Sequence, residues 1–208
     1  MNRIVVVSAG LSVPSSTRLL ADRLAAATTE ALAEAEVVHV ELRALAHPLA
    51  DHLLTGFPHG ELAAAIEAVT SADGLIVVSP VFSASYSGLF KSFFDVLEPG
   101  ALDGTPVLIA ATGGTSRHSL VLDHALRPLF SYLHAVVAPT GVYAATDDFG
   151  TAGLDGRIQR AAGEFAALVG KPADRGVATD DVMQVRRSTA EEFADPTPFE
   201  ELLRNASR

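Results

Sequence analysis

Three short stretches of this chain carry groups suited to holding a ligand. The first is Ser8-Ala9-Gly10-Leu11-Ser12-Val13-Pro14-Ser15-Ser16-Thr17-Arg18, between the apolar run Ile4–Val7 and a helical pattern. Ser12, Ser15, Ser16 and Thr17 gather hydroxyls where that helix must begin. The first amides of a helix lack intrahelical partners and sit at its positive end, so hydroxyls and amides together suit a phosphomonoester. One serine is enough to cap the helix; four hydroxyls exceed that need. No Gly-Lys-Ser/Thr follows, and Gly10 stands without the partner glycines of G-x-G-x-x-G. Neither a nucleoside-triphosphate loop nor a dinucleotide fingerprint is present.

The second stretch is Ser79-Pro80-Val81-Phe82-Ser83, after the apolar run Leu75–Val78. Pro80 is expected to stop that strand. Val81 and Phe82 then offer a flat apolar surface and backbone amides, a pairing that suits the face and edge of an isoalloxazine ring. A loop merely packing on its own helix would also account for Phe82. The third stretch, Thr112-Gly113-Gly114, follows Val107–Ala111. Paired glycines admit close backbone approach, and their N–H groups are suited to carbonyls that gain negative charge on reduction. A plain turn explains Gly-Gly as well.

Other chemistry finds less footing. His39, His47, His52, His59, His118, His124 and His134 are scattered, and no HExxH spacing occurs. No metal site is expected. His118 is near the glycine pair but reads first as a surface residue at a helix start, and His124 as a surface or interface residue. No G-x-S-x-G elbow exists, so Ser87 in Tyr-Ser-Gly is not read as a nucleophile. Asp147-Asp148 reads as a solvated turn. No side chain is assigned as a catalytic acid, base or nucleophile.

The elements that must position these stretches alternate. Strand-like runs occur at Ile4–Val7, Val37–Val40, Leu75–Val78, Val107–Ala111 and Val142–Ala145. Helical patterns occupy Ser16–Ala33, Glu61–Ala72, Leu89–Leu97, His118–Leu133 and Asp155–Val169, the fourth with Pro128 as a kink. The stretch His47–Gly60 reads as punctuated loop. Continuous apolar strands alternating with helices mean an α/β fold with a parallel sheet covered on both faces. Five units suit a flavodoxin-like, doubly wound, five-stranded parallel sheet of order 2-1-3-4-5, with ligands at the carboxyl ends of the strands. All three candidate stretches fall at such ends.

Composition narrows the partners. The 208 residues include no cysteine, which removes disulfides, thiolate metal sites and cysteine nucleophiles. A formal charge of −10 and the lack of any long basic cluster argue against nucleic acid. No apolar run is long enough to span a membrane. The short N-terminal run reads as a buried strand instead of a signal core, which points to the cytoplasm. One domain is expected over 1–170. Residues 171–208, punctuated by Pro172, Pro196 and Pro198, read as a tail. It is expected to be partly disordered or to pack on a neighbouring subunit, with one short helix at Phe199–Leu203. Phe90, Phe93, Phe94, Leu120, Leu122, Leu126 and Leu129 are more apolar residues than one sheet face should absorb, so an interface between copies is expected.

The segment SPVFSASYSGLFKSFFDVL resembles the strand-three signature of NAD(P)H-dependent FMN reductases. The segment ALDGTPVLIAATGGTSRHSLVLDHALRPLFSYLHA is similar to the reductase component of two-component alkanesulfonate-type and luciferase-like monooxygenase systems. The serine-rich first loop resembles the phosphate loop of that family, although the Gly-Ser-x-Arg form is missing and Phe82 stands where many members have Tyr. The resemblance covers about residues 3–150. It implies hydride transfer from NADH or NADPH to FMN, a homodimer or homotetramer, and delivery of reduced flavin to a flavin-dependent monooxygenase. The residues it implies around FMN are Ser12, Ser15, Ser16, Thr17, Pro80, Val81, Phe82, Ser83, Thr112, Gly113 and Gly114. Two other readings stay open on sequence. One is a quinone or azo reductase that retains FMN. The other is a flavodoxin-type electron carrier, although the T/S-x-T-G-x-T loop of flavodoxins is absent.

Overall fold

Five parallel strands carry the architecture, in the spatial order expected from sequence. The computed structural model describes residues 1–170; the expected tail, with its short helix at Phe199–Leu203, lies outside the described residues. The strands are β1 (Asn2–Ser8), β2 (Ala35–Glu41), β3 (Gly74–Phe82), β4 (Ser85–Tyr86), β5 (Pro106–Gly113), β6 (Val136–Val137) and β7 (Val142–Ala145). The helices are α1 (Ser16–Leu32), α2 (Ala46–Thr55), α3 (Gly60–Thr70), α4 (Gly88–Asp95), α5 (Arg127–Tyr132) and α6 (Ala152–Val169). The long strands run β2-β1-β3-β5-β7, all parallel. β6 pairs with the start of β5 and β7 with its end, so the two are segments of one edge. Pro139, which lacks an N–H donor, lies between them. The fold is flavodoxin-like. Among the described residues, no helix is long and apolar enough to cross a membrane.

Successive strand residues face opposite ways, and both faces are covered. Val5, Val7, Leu75, Val77, Val107 and Ile109 point into one core, beneath α2 to α5. Ile4, Val6, Ile76, Val78, Leu108 and Ala110 point into the other, with Leu20 and Leu24 of α1 and Ile158 and Phe165 of α6.

One core absorbs most of the expected apolar surplus. Phe90, Phe93 and Phe94 are all buried, because positions i, i+3 and i+4 share one face of α4. Phe94 packs edge-on against Phe93 and against Phe130, with ring centroids 5.4 Å and 4.9 Å away. Leu122 and Leu126 join the same core. Leu120 is left exposed, and Leu129 is half-buried.

Two elements differ from expectation. The stretch read as loop contains α2, since Pro48 occupies the helix's first turn, where a missing N–H breaks no bond. Gly56 ends the helix at φ 78°, donating to the His52 carbonyl. The expected continuous helix over 118–133 is broken up. Ser116–His118 is a 3₁₀ turn, Leu122–Leu126 a π turn, and only Arg127–Tyr132 is α-helical. Pro128 cannot donate, and its ring crowds the carbonyl four residues back, so the turn before it widens. Arg127 N–H accordingly reaches the carbonyl of Leu122, five residues away.

Candidate active site

At the carboxyl edge of the sheet the three candidate stretches converge. Thr17 on α1 and Thr112 on β5 are both buried, and their hydroxyl oxygens lie 2.8 Å apart. That bond fastens the first loop to the end of β5. Ser15 is the N-cap of α1, with its hydroxyl accepting from Arg18 N–H at 3.2 Å. The four hydroxyls therefore divide. Those of Ser15 and Thr17 have structural partners, whereas Ser12 and Ser16 are exposed, Ser16 as the first residue of the helix. Gly10 fits beneath them closely: a Cβ there would lie 2.0 Å from Ser15 Oγ and 3.1 Å from the Cβ atoms of Ser15 and Thr17.

The charge beside this loop is largely compensated. Arg18 Nε meets Asp22 Oδ1 at 2.7 Å, and its guanidinium also pairs with Glu41 at the end of β2. His39 stands 3.7 Å from Asp22; burial first, then the Arg18 charge, lowers its pKa below the ordinary imidazole value. The anion-attracting groups left at the loop are amides and hydroxyls.

Pro80 does not end β3, contrary to expectation. It ends the parallel ladder opposite Thr112, but the strand runs on through Val81 and Phe82, which pair antiparallel with Tyr86 and Ser85 of β4. Pro80 has no N–H to donate, yet extended backbone suits it. The turn residues Ser83 and Ala84 have φ of 50° and 64°. Left-handed backbone costs a residue bearing Cβ about 1–2 kcal/mol, so the hairpin tip is strained. Buried Ser79 steadies it: its hydroxyl donates to the Pro80 carbonyl and accepts from Ser87 N–H, both at 2.9 Å. Ser87 Oγ in turn caps α4, accepting from Phe90 N–H at 3.2 Å. Val81 packs partly on the core, and the Phe82 side chain is 46% exposed at the edge.

Gly113 and Gly114 do not form a glycine-dependent turn. Gly113 is the last residue of β5, paired with Ala145, and neither glycine has positive φ. Gly113 is small for another reason: a Cβ would come within 2.2 Å of the Tyr143 hydroxyl. Gly114 is exposed, and a Cβ there would meet nothing within 4 Å. Tyr143, which the sequence reading missed, donates its hydroxyl proton to the Thr115 carbonyl at 2.6 Å. Nothing local in Val142-Tyr143-Ala144 signals this contact, because it depends on how β7 registers with β5.

The remaining candidates stand apart. His47, His59, His118 and His124 are exposed, the last in the π turn. His134 meets Asp103 at 3.0 Å. Asp148 is occupied structurally. It accepts from Ala145 N–H at 2.8 Å, which holds its carboxyl below the usual carboxylate range, and Arg157 assists. Among the described residues, no group of three or more His, Asp or Glu side chains is placed to hold a metal.

The sequence and the fold have parallels in known proteins. The family model described as NADPH-dependent FMN reductase matches residues 2–150. A Pseudomonas aeruginosa protein named FMN reductase (NADPH) is 44% identical over 173 residues, covering 81% of this chain and 92% of its own. The NADH-dependent FMN reductase SfnF of Pseudomonas fluorescens is 43% identical over 173 residues, with the same 81% and 92% coverage. The X-ray structure of an oxidoreductase from Corynebacterium diphtheriae superposes with a TM-score of 0.81 at 49% identity, covering 83% of this chain and 99% of that one. With a family model spanning most of the chain and relatives of this identity and coverage, the chain belongs to the NADPH-dependent FMN reductase family.

Proposed function

We propose that this protein is an NAD(P)H:FMN oxidoreductase that binds FMN across the carboxyl edge of its sheet. The observation that carries the reading is the Thr17–Thr112 bond, which sets the hydroxyl-rich helix start beside the end of β5. When flavin and nicotinamide nucleotide are bound, they supply the chemistry, a hydride passing from nicotinamide C4 to flavin N5. The chain's own residues bind and orient. Ser12, Ser16 and the first amides of α1 receive the phosphate, while Ser15 and Thr17 hold that loop in shape. Pro80, Val81 and Phe82 form the apolar wall for the ring, with Ser83 at its rim. The backbone at Thr112, Gly113 and Gly114 faces the pyrimidine edge, where donors stabilise developing negative charge. No side-chain acid or base is required.

Steady-state oxidation of NADH and NADPH with FMN, FAD and riboflavin tests this reading and shows which nucleotide is preferred. The expected result is turnover that requires added or bound flavin. In Ser12→Ala/Ser16→Ala, KM for FMN should rise about tenfold or more, since hydrogen bonds to a charged group contribute about 1.5–3 kcal/mol each. KM for riboflavin, which lacks the phosphate, should stay within about twofold. Equal losses for both flavins would place the phosphate elsewhere.

The open edge around Phe82 and Gly114 supports release of reduced flavin to a separate monooxygenase in the cytoplasm, where nicotinamide nucleotides are made. We further place a contact between copies at the end of α2. Leu53, Leu54 and Phe57 are 55%, 88% and 68% exposed there, a run of apolar surface unusual for a lone subunit. Light scattering at micromolar concentration should give a dimer or tetramer, and Leu54→Asp should shift it toward monomer. A monomeric wild type would remove this part of the proposal.

A further inference from the structure

Tyr143, buried on β7 beside the end of β5, has no role in the proposed binding set. The residue is only 4% exposed, yet its hydroxyl reaches out to Thr115, two residues beyond the end of β5. The phenol oxygen occupies the space that a side chain on Gly113 would need. The strand beneath is tied down as well. Arg157 donates to the Tyr143 carbonyl at 2.7 Å, and Asp148 joins Arg157 at 3.2 Å to the Ala145 amide at 2.8 Å. Gly113–Thr115 therefore rests on a side chain whose own backbone is anchored from α6.

Thr115 is exposed, so water would serve its carbonyl if the phenol did not. The bond accordingly selects an orientation more than it satisfies a buried group. A trans peptide points its N–H opposite to its C=O. With the Thr115 carbonyl turned onto the phenol, the Ser116 N–H is turned away from it.

We propose that Tyr143 is a positioning residue: its hydroxyl, through Thr115, fixes the backbone that follows β5 in the orientation that receives the flavin ring. The inference rests on the ring placement proposed above. It adds a control point distinct from the phosphate loop.

The test uses the full chain with Tyr143→Phe, which keeps the buried ring and removes the hydroxyl. Dissociation constants for FMN and riboflavin are read by fluorescence, alongside KM, kcat and the melting temperature. Both constants should rise by the same factor, about fivefold for one lost hydrogen bond. The ratio between the two flavins should not change, because the effect is at the ring end. Gly113→Ala pushes on the same contact from the other side and should weaken both flavins at least as much. Combined with Tyr143→Phe, its damage should be less than the product of the two, since the atom its methyl meets is gone. A Tyr143→Phe protein that binds both flavins within twofold of wild type, whatever its melting temperature, overturns the proposal. So does selective loss of FMN, or a double variant whose losses multiply. Should Tyr143→Phe fail to fold, unchanged flavin affinity in folded Gly113→Ala overturns it equally. A wild type that oxidises no NAD(P)H with FMN would instead sink the reductase function itself, whereas an active wild type with an unaltered Tyr143→Phe removes only the role of Tyr143.

Discussion

Gly10→Ala should lower both the stability of the protein and its affinity for FMN. The new Cβ would stand 2.0 Å from Ser15 Oγ, so that hydroxyl must rotate away. Doing so releases Arg18 N–H and removes the N-cap of α1. Loss of such a cap costs about 0.5–2 kcal/mol. The contacts at 3.1 Å to the Cβ atoms of Ser15 and Thr17 add crowding. A total of about 2 kcal/mol corresponds to a melting temperature lower by roughly 4–8 °C for a domain of this size. Displacing Thr17 also loosens its bond to Thr112, so the two halves of the proposed site part, and FMN affinity should fall about tenfold. Replacing Ser15 by glycine in the same chain removes the colliding atom. Gly10→Ala/Ser15→Gly should thus be more stable than the sum of the single changes implies, because residues in contact do not act additively. A Gly10→Ala protein with unaltered melting and FMN affinity would show that the loop yields freely and that its shape is irrelevant to binding.

Gly114→Val separates folding from function more cleanly. A Cβ at this position meets nothing within 4 Å, and the backbone there has no positive φ to resist a β-branched residue. The melting temperature should therefore stay within about 2 °C of wild type, as for most exposed substitutions. The side chain would still stand where the ring edge is proposed to approach. One lost donor to developing charge costs about 2.7–4 kcal/mol in comparable oxyanion sites. Reductase kcat/KM for FMN should fall at least about tenfold. Gly113 is the poorer probe, because a substituent there strikes Tyr143 before it meets any ligand. Full activity in Gly114→Val would move the ring away from this strand end.

The parts of the fold that follow from local pattern were legible in sequence. Ile4–Val7, Leu75–Val78 and Val107–Ala111 are apolar on both faces, as a doubly covered parallel sheet requires. Strand order then placed the three candidate loops at one edge, and the Thr17–Thr112 bond brings two of them into contact. Tertiary partners were harder to read. Four clustered hydroxyls look alike in sequence, and only the structure separates Ser15 and Thr17, which have partners, from exposed Ser12 and Ser16. Pro80 looks like a stop in sequence because it lacks an amide, yet the extended backbone it favours lets β3 continue. The Pro and Gly punctuation over 47–60 likewise hides α2, although the first turn of a helix tolerates Pro48. The phenylalanines of α4 look like a surplus in sequence because the depth of the core above β3 and β5 is not visible in a linear pattern. Tyr143 was missed since its partner, Thr115, is 28 residues away in sequence.

The most direct measurement of where flavin binds is an amide NMR titration of the full chain with FMN. The expected result is a set of saturable shifts at Ser12, Ser16, Phe82, Gly113 and Gly114, with the serine amides unmoved when riboflavin replaces FMN. The cleft between β2 and α3 near His39, Ala64 and Ala68 should stay silent, as should the one near His52, Pro58 and Ala101. Shifts confined to either of those clefts, with the carboxyl edge unperturbed, would contradict the site described here.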